Sequence, residues 1–154
     1  MKGNKEVIER LNARLADELT AINQYMVHAE MNDNWGFDKL DSAIQKRAIE
    51  EMKHAEKLIA RILFLEGTPV VSVLNKIHIG ASVDKQHAND HEAERTAIEA
   101  YNEDIRFAVS AGDNGTRDLL EEILEDEEEH IDWIEAQQDQ IEQVGIQNYL
   151  AVQV

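Results

Sequence analysis

The chain has 154 residues, enough for one domain around a single core. Its 32 acidic and 15 basic side chains leave a formal net charge of −17, which excludes nucleic acid and anionic membrane surfaces as natural partners and favours cations. No cysteine is present, so disulfides, zinc–thiolate sites and thiol catalysis are excluded, and a metal must rely on carboxylate, imidazole, thioether or backbone ligands.

Seven glycines and one proline disfavour a turn-rich β architecture. No apolar run approaches the roughly 20 residues of a membrane span. The opening MKGNKEVIER is too polar for a secretory segment. The expectation is a soluble, cytoplasmic protein.

Apolar residues recur with a helical period in four blocks. The first covers about residues 4–34, with a seam of Ile8, Leu11, Leu15, Glu18, Ile22, Tyr25 and Ala29 and with Asn4 as its N-cap. The second covers about 38–66, with Asp38 as the expected cap. Its seam is Leu40, Ile44, Arg47 or Ala48, Glu51, His54, Leu58, Ile62 and Leu65. Gly67, Thr68 and Pro69 stop it. Residues 70–82 have no period and read as a long connection laid on the bundle.

The third block covers about 83–110, with a seam of His87, His91, Glu94, Ile98, Tyr101, Ile105 and Ala108. After the break at 111–115, the fourth covers about 116–144 through Leu120, Ile123, Glu127, His130, Ile134 and Ile141. The tail, about 146–152, is expected to form a short fifth helix. Two short connections and one long middle one predict a single all-α domain over 1–154, a four-helix bundle with one crossover. A plain up-down bundle is the alternative, which the length of the middle connection disfavours.

Six of the seam residues are the wrong kind for a seam: Glu18, Glu51, His54, Glu94, Glu127 and His130. Burying a carboxylate is costly unless it is paired or bound to a metal. Two blocks carry Glu-x-x-His, at Glu51–His54 and Glu127–His130, which places both side chains on one helix face. The other two blocks supply one glutamate each, Glu18 and Glu94. This is the ligand set of di-iron and di-manganese carboxylate bundles.

Glu18 to Glu51 spans 33 residues (51 − 18) and so does Glu94 to Glu127 (127 − 94). The two halves therefore repeat at an offset of 76 (94 − 18), as expected of two hairpins about a pseudo-twofold axis. Four carboxylates balance two divalent ions when both histidines are neutral. Oxygen-rich ligation with imidazole and no thiolate suits iron or manganese better than structural zinc. One acidic motif alone signifies little, since an acidic helix is usually a solvated face. The conjunction of two motifs, two partners and one spacing carries the reading.

At these residues the chain resembles the bacterioferritin family. The matching stretches are DELTAINQYMVHA, NWG, EEMKHAE, RILFLEG, EEILEDEEEHIDWIE and QNYL, spread over nearly the whole chain. The resemblance implies an all-α, ferritin-like four-helix bundle with one long crossover and a short fifth C-terminal helix. It also implies a homo-oligomeric hollow shell, a 24-mer built of twofold dimers. Its implied activity is that of a ferroxidase: Fe(II) is oxidised to Fe(III) with dioxygen or peroxide at a di-iron site of two iron ions per subunit. The ferric mineral is then stored inside.

By residue, the resemblance implies Glu18, Glu51, His54, Glu94, Glu127 and His130 as the catalytic iron ligands, with Glu51 and Glu127 bridging. It implies Met52 as axial ligand of a b-type haem, or related iron porphyrin, shared between two subunits. Tyr25 reads either as an electron donor to oxygen reduction or as a hydrogen-bonded core tyrosine. Asp90 and Asp126 are candidates to orient the ligating histidines. Tyr149 and Leu150 would line a fourfold channel, and a ferredoxin-like protein would be the reductant that releases iron.

Lys46 and Glu50 depart from the histidine and aspartate that form an inner-surface iron site in other members, and a lysine cannot serve as that ligand. Leu58 stands where some members have an aromatic residue. His87 and His91 share a face and permit metal binding, though partly buried polar histidines are the plainer reading. Trp35 and Trp133 read as packing anchors. The rival function is a non-storage di-iron oxidase or peroxidase, against which stands the lack of a cysteine-rich electron-transfer module. A bundle without metal is a third.

Overall fold

A computed structural model describes residues 1–154 and is helical throughout, with no strand. The helices are α1 Lys5–Trp35, α2 Asp38–Phe64, α3 Val83–Ser110, α4 Asn114–Val144 and α5 Ile146–Ala151. α1 packs chiefly on α2, and α3 on α4, so the molecule is two hairpins joined by the crossover. No helix is long and apolar enough to cross a membrane.

The helix ends follow local chemistry. Asn4 Oδ1 accepts from the amides of Glu6 at 2.9 Å and Val7 at 3.2 Å, satisfying two of the free N–H groups of α1. Gly36 closes α1 in the left-handed region at φ 81°, where a side chain is unfavourable. Asp38 does not cap α2 as expected. It is the first helical residue, with Phe37 before it making no side-chain cap, and with Asp41 it lays negative charge on the positive helix end. α4 begins at Asn114, earlier than the expected 116, because Asp113 takes the cap. Its carboxylate accepts from the Thr116 amide at 2.9 Å, the Thr116 hydroxyl at 2.6 Å and Arg61 of α2 at 2.7 Å.

The crossover is extended and pairs with no strand, so its amides need other partners. A polar stripe on α1 supplies them. Val70 N–H donates to Asn12 at 2.8 Å, Asn75 to Thr20 at 2.9 Å, His78 to Gln24 at 3.1 Å and Gly80 to His28 Nε2 at 3.0 Å. A Cβ on Gly80 would sit 2.3 Å from the Gln86 backbone nitrogen, so only glycine fits that approach.

The apolar core falls into two clusters. One gathers Val7, Leu11, Leu15, Leu58, Ile62, Tyr101, Leu120 and Ile123. The other gathers Tyr25, Ala29, Leu40, Ile44, Val83 and Tyr149. Along α1 and α2 the seam glutamates and His54 fall between the two. α5 folds back on the bundle: the Tyr149 hydroxyl donates to Gln137 at 2.8 Å and meets His87 Nε2 at 3.1 Å. Tyr149 therefore points inward in the subunit rather than toward a channel, because burial of its ring and two polar partners hold it there.

Candidate metal centre

The structure brings all six seam residues into one place. Glu18, Glu51, His54, Glu94, Glu127 and His130 are between 0% and 7% exposed, which removes the reading of a solvated acidic face. Ligand atoms of Glu18, Glu51, His54 and Glu127 lie within 4.8 Å of one another, and so do those of Glu51, Glu94, Glu127 and His130. Glu51 and Glu127 belong to both groups. The arrangement is thus two overlapping four-residue cages with a shared pair of carboxylates.

The imidazoles face this centre through Nδ1. His54 Nδ1 lies 2.9 Å from Glu51, 3.2 Å from Glu127 and 3.5 Å from Glu18. His130 Nδ1 lies 3.1 Å from Glu51, 3.4 Å from Glu94 and 3.6 Å from Glu127. Several of these atoms are close without being aligned as hydrogen bonds. Glu51 Oε1, Glu94 Oε2, Glu127 Oε1 and His130 Nδ1 are buried with no hydrogen-bond partner. Orphaned acceptors converging on one point suit a cation between them.

Each histidine is steered from its other nitrogen. His54 Nε2 meets Asp126 at 2.8 Å, and His130 Nε2 meets Glu50 at 2.7 Å. A carboxylate on Nε2 holds the proton there and leaves the Nδ1 lone pair for the centre. Asp90, expected to share this task, does not reach either ring. It is bound to Gln24 at 2.8 Å, His28 at 2.9 Å and Arg47 at 3.3 Å, one helical turn nearer the crossover. Glu50 takes its place. It also lies 3.5 Å from the Lys46 ammonium, in a cavity of about 370 Å³ lined by Lys46, Glu129, His130 and Trp133.

Burial raises the carboxyls of Glu51 and Glu127 well above the usual range, and the neighbouring glutamates push further in the same direction. Burial also works to raise Glu18, but close contact with His54 and Glu51 outweighs it and holds that carboxyl low. For His54, burial disfavours the cation, yet the carboxylates of Glu127, Glu18 and Glu51 close to Nδ1 raise it. His130 is raised against burial mainly by Glu94. The metal-free centre therefore carries protons that divalent ions would displace.

Two phenols close the centre. The Tyr25 hydroxyl donates to Glu94 at 2.6 Å, and the Tyr101 hydroxyl donates to Glu18. Tyr101 had appeared only as a seam residue. The offset that relates the ligands relates the phenols too (101 − 25 = 76), and would have singled it out. Of the seam alternatives Arg47 and Ala48, both are buried, but the guanidinium is the consequential one. It lies 4.6 Å from the Tyr25 ring centre and 5.4 Å from that of Trp133.

A second cavity, of about 380 Å³, runs between α1, α3 and the crossover. It is bordered by Asp17, Asn75, His78 and Glu92 and reaches Glu18, Glu94 and Glu127. Met52 is outside the centre, 45% exposed on α2. His87 and His91 do not form a pair. His87 is buried against Trp133 and Tyr149 and is pushed down to about 4 by burial and by Arg47, whereas His91 meets Glu135 at 2.9 Å on the surface.

A helical bundle with this buried double cage defines a ferritin-like protein, and residues 8–144 match the ferritin-like domain family. The chain is 40% identical over 149 residues to a bacterioferritin of Rhodobacter capsulatus, covering 97% of this chain and 92% of that protein. It is 42% identical over 151 residues to a bacterioferritin of Streptomyces coelicolor, covering 98% and 90%. A bacterioferritin of Brucella melitensis is 40% identical over 149 residues, covering 97% and 92%. The chain belongs to the bacterioferritin family.

Proposed function

We propose that this chain, one domain over residues 1–154, stores and detoxifies iron, and that its buried centre is a ferroxidase site. The observation that carries the reading is the pair of overlapping cages, fully buried and built from four carboxylates and two imidazoles. Nothing else in a core of this kind compensates four buried acids as well as two divalent cations do.

Fe(II) is the substrate. Asp17 and Glu92 at the mouth of the cavity between α1 and α3 attract it, and Glu18 and Glu94 at the inner end receive it. Glu18 and His54 hold one ion, Glu94 and His130 hold the other, and Glu51 and Glu127 span both. Asp126 and Glu50 keep Nδ1 of the histidines turned inward. Two Fe(II) then each give one electron to dioxygen or peroxide, giving Fe(III). As cations arrive, protons leave the bridging glutamates and the imidazoles. The burial of the centre limits the water that reaches it. The ferric product passes to a mineral core inside a hollow cytoplasmic shell of 24 copies built of twofold dimers. A ferredoxin-like reductant returns electrons when iron is released.

The residues present fit a haem between two subunits. α2 exposes Met52 and, one turn before it, Ile49, and α1 exposes Met26 and Val27. A thioether standing free on an apolar face is a suitable axial ligand, and apolar neighbours suit a porphyrin. A haem held there would supply one-electron carriage. Met52 would be its ligand from each subunit.

A non-storage di-iron oxidase is the second reading. It is favoured by one observation: Lys46, 3.5 Å from Glu50, sets a cation at the cavity that borders Glu50 and His130. Anaerobic loading followed by air separates the two. Storage predicts an assembly far above 17.5 kDa that keeps iron in solution well beyond the centre's own capacity. Precipitation of all iron beyond the bound pair supports the oxidase. A chain that takes up no Fe(II) overturns both.

A further inference from the structure

The pseudo-twofold relation makes an internal control of the two phenols. Each is buried, and each donates its hydroxyl to a glutamate of the opposite half: Tyr25 to Glu94, Tyr101 to Glu18. Their surroundings differ. Arg47, only 4% exposed, lies over the Tyr25 ring. One hydrogen-bond donor of its guanidinium reaches Asp90 at 3.3 Å, while Nε and Nη1 have no hydrogen-bond partner, so much of its charge is directed at the Tyr25 and Trp133 rings. The residue related to Arg47 by the offset is Ile123 (123 − 47 = 76). Tyr101 lies in the same buried apolar cluster as Ile123, Leu11, Leu15, Leu58 and Leu120. None of the guanidinium–ring contacts involves Tyr101.

A cation against a ring face is attracted to its electrons and resists their removal. Tyr25 is opposed in this way and Tyr101 is not. We propose that Tyr101 is an electron donor to the iron pair and the more easily oxidised of the two phenols, with Arg47 as the positioning residue that holds Tyr25 back. The inference rests on the ferroxidase reading for its oxidant, dioxygen being reduced at the centre. In the step, Tyr101 loses one electron to that oxidant and its hydroxyl proton to the Glu18 carboxylate, leaving a neutral tyrosyl radical. The same step at Tyr25 would deliver its proton to Glu94 but must overcome Arg47. Trp133, facing the same guanidinium, is opposed in the same way.

The test begins with iron-free protein, oxidised by an excited ruthenium complex with an external acceptor and read by electron paramagnetic resonance. The expected result is a tyrosyl radical that falls about tenfold in Tyr101→Phe and is largely kept in Tyr25→Phe. Arg47→Met should move the radical toward Tyr25 or Trp133, and Arg47→Lys should not. Because Arg47→Met removes the guanidinium charge facing buried Asp90, which keeps Gln24 and His28, Arg47→Met with Asp90→Asn serves as the second variant. A radical lost in Tyr25→Phe and kept in Tyr101→Phe, or lost equally in both, overturns the proposal. So does a distribution that both Arg47→Met variants leave unchanged. Mixing Fe(II)-loaded protein with air then reads the same radical in turnover. If the wild type fails to oxidise iron there, the ferroxidase reading falls while the iron-free ranking of the phenols still stands or fails by itself.

Discussion

Around Tyr25 the bundle is polar: Arg47, Asp90, His28, Gln24 and Asn32 are all buried nearby in one connected network. Around Tyr101 it is more apolar, the ring belonging to a cluster of leucines and isoleucines while its hydroxyl meets Glu18. Yet the ligands of the two halves superpose by one offset, down to the carboxylates behind the histidines, since Glu50 and Asp126 are also 76 apart (126 − 50). Even the polar pairs between α1 and α3 are related, with the acidic and nitrogen-bearing partners exchanged between the helices. Arg14 meets Asp104 at 3.4 Å, and at the equivalent positions Asp90 meets His28 at 2.9 Å. On the proposed ferroxidase reading the centre needs its symmetry, because two like ions would need like cages. The surroundings are free of that demand, and there the halves have separated, one into a charged network that pins the crossover and the other into packing.

The largest effect should come from the element both halves share. Glu127→Ala removes a ligand from both cages, and we expect loss of at least about 100-fold in Fe(II) affinity at the centre, measured by anaerobic titration. Glu18→Ala should damage one cage only and leave about one ion per chain bound. Next are the carboxylates behind the histidines. Glu50→Gln and Asp126→Asn should each weaken metal binding by about 10–100-fold, on opposite ions of the pair. Equal loss at both ions from either change would break the assignment of Glu50 to His130 and Asp126 to His54.

Protonation sharpens the comparison of the filled and empty centre. Anaerobic loading of two divalent ions should release about four protons near neutral pH, from Glu51, Glu127, His54 and His130, read with a pH-stat. The same four groups bind protons more tightly folded than unfolded. Their stabilising contribution is complete below their unfolded values, 4.5 for the glutamates and 6.5 for the histidines, and is lost as pH rises through the folded values. The metal-free protein should therefore melt lower at about pH 9 than at about pH 6, and a divalent metal should abolish the difference. His87 has the opposite sign. Its folded value of about 4 costs stability as pH falls below 6.5.

The two surroundings should respond differently to substitution. Arg47→Met removes the guanidinium charge facing buried Asp90 and should cost up to about 3–5 kcal/mol in thermal or urea unfolding, less to the extent that Gln24 and His28 still hold the carboxylate, and largely restored when Asp90→Asn is added. Ile123→Val, at the related position, removes one methylene and should cost only about 0.5–1.5 kcal/mol. Similar costs at the two positions would mean that the polar network contributes no more than packing.

Much of this was legible in the sequence, for reasons that also mark where legibility stops. Helical period located the four helices to within a few residues, and ligands that interrupt an apolar seam are conspicuous whatever the tertiary register. The expected cap was right at Asn4 and wrong at Asp38, which is itself the first helical residue, and no cap was expected for α4. Asp113 caps α4 with Arg61 of α2 bound to it. Asp90 lies one turn from Glu94 on the same face, so spacing placed it beside the centre, but it is His28 and Arg47 on other helices that claim it. The pairing of Glu50 with His130 was not anticipated for the same reason, since the two are 80 residues apart. Tyr101 was available from the repeat alone and needed only that the offset be applied beyond the ligands.

The account stands or falls on cations being what makes six buried polar residues tolerable. A crystal soaked anaerobically with Fe(II) and read by anomalous diffraction at the iron edge tests this most directly. We predict two peaks per chain, each between a histidine Nδ1 and the carboxylates of Glu51 and Glu127. No anomalous density inside the bundle, with iron found only on surface carboxylates, would contradict it.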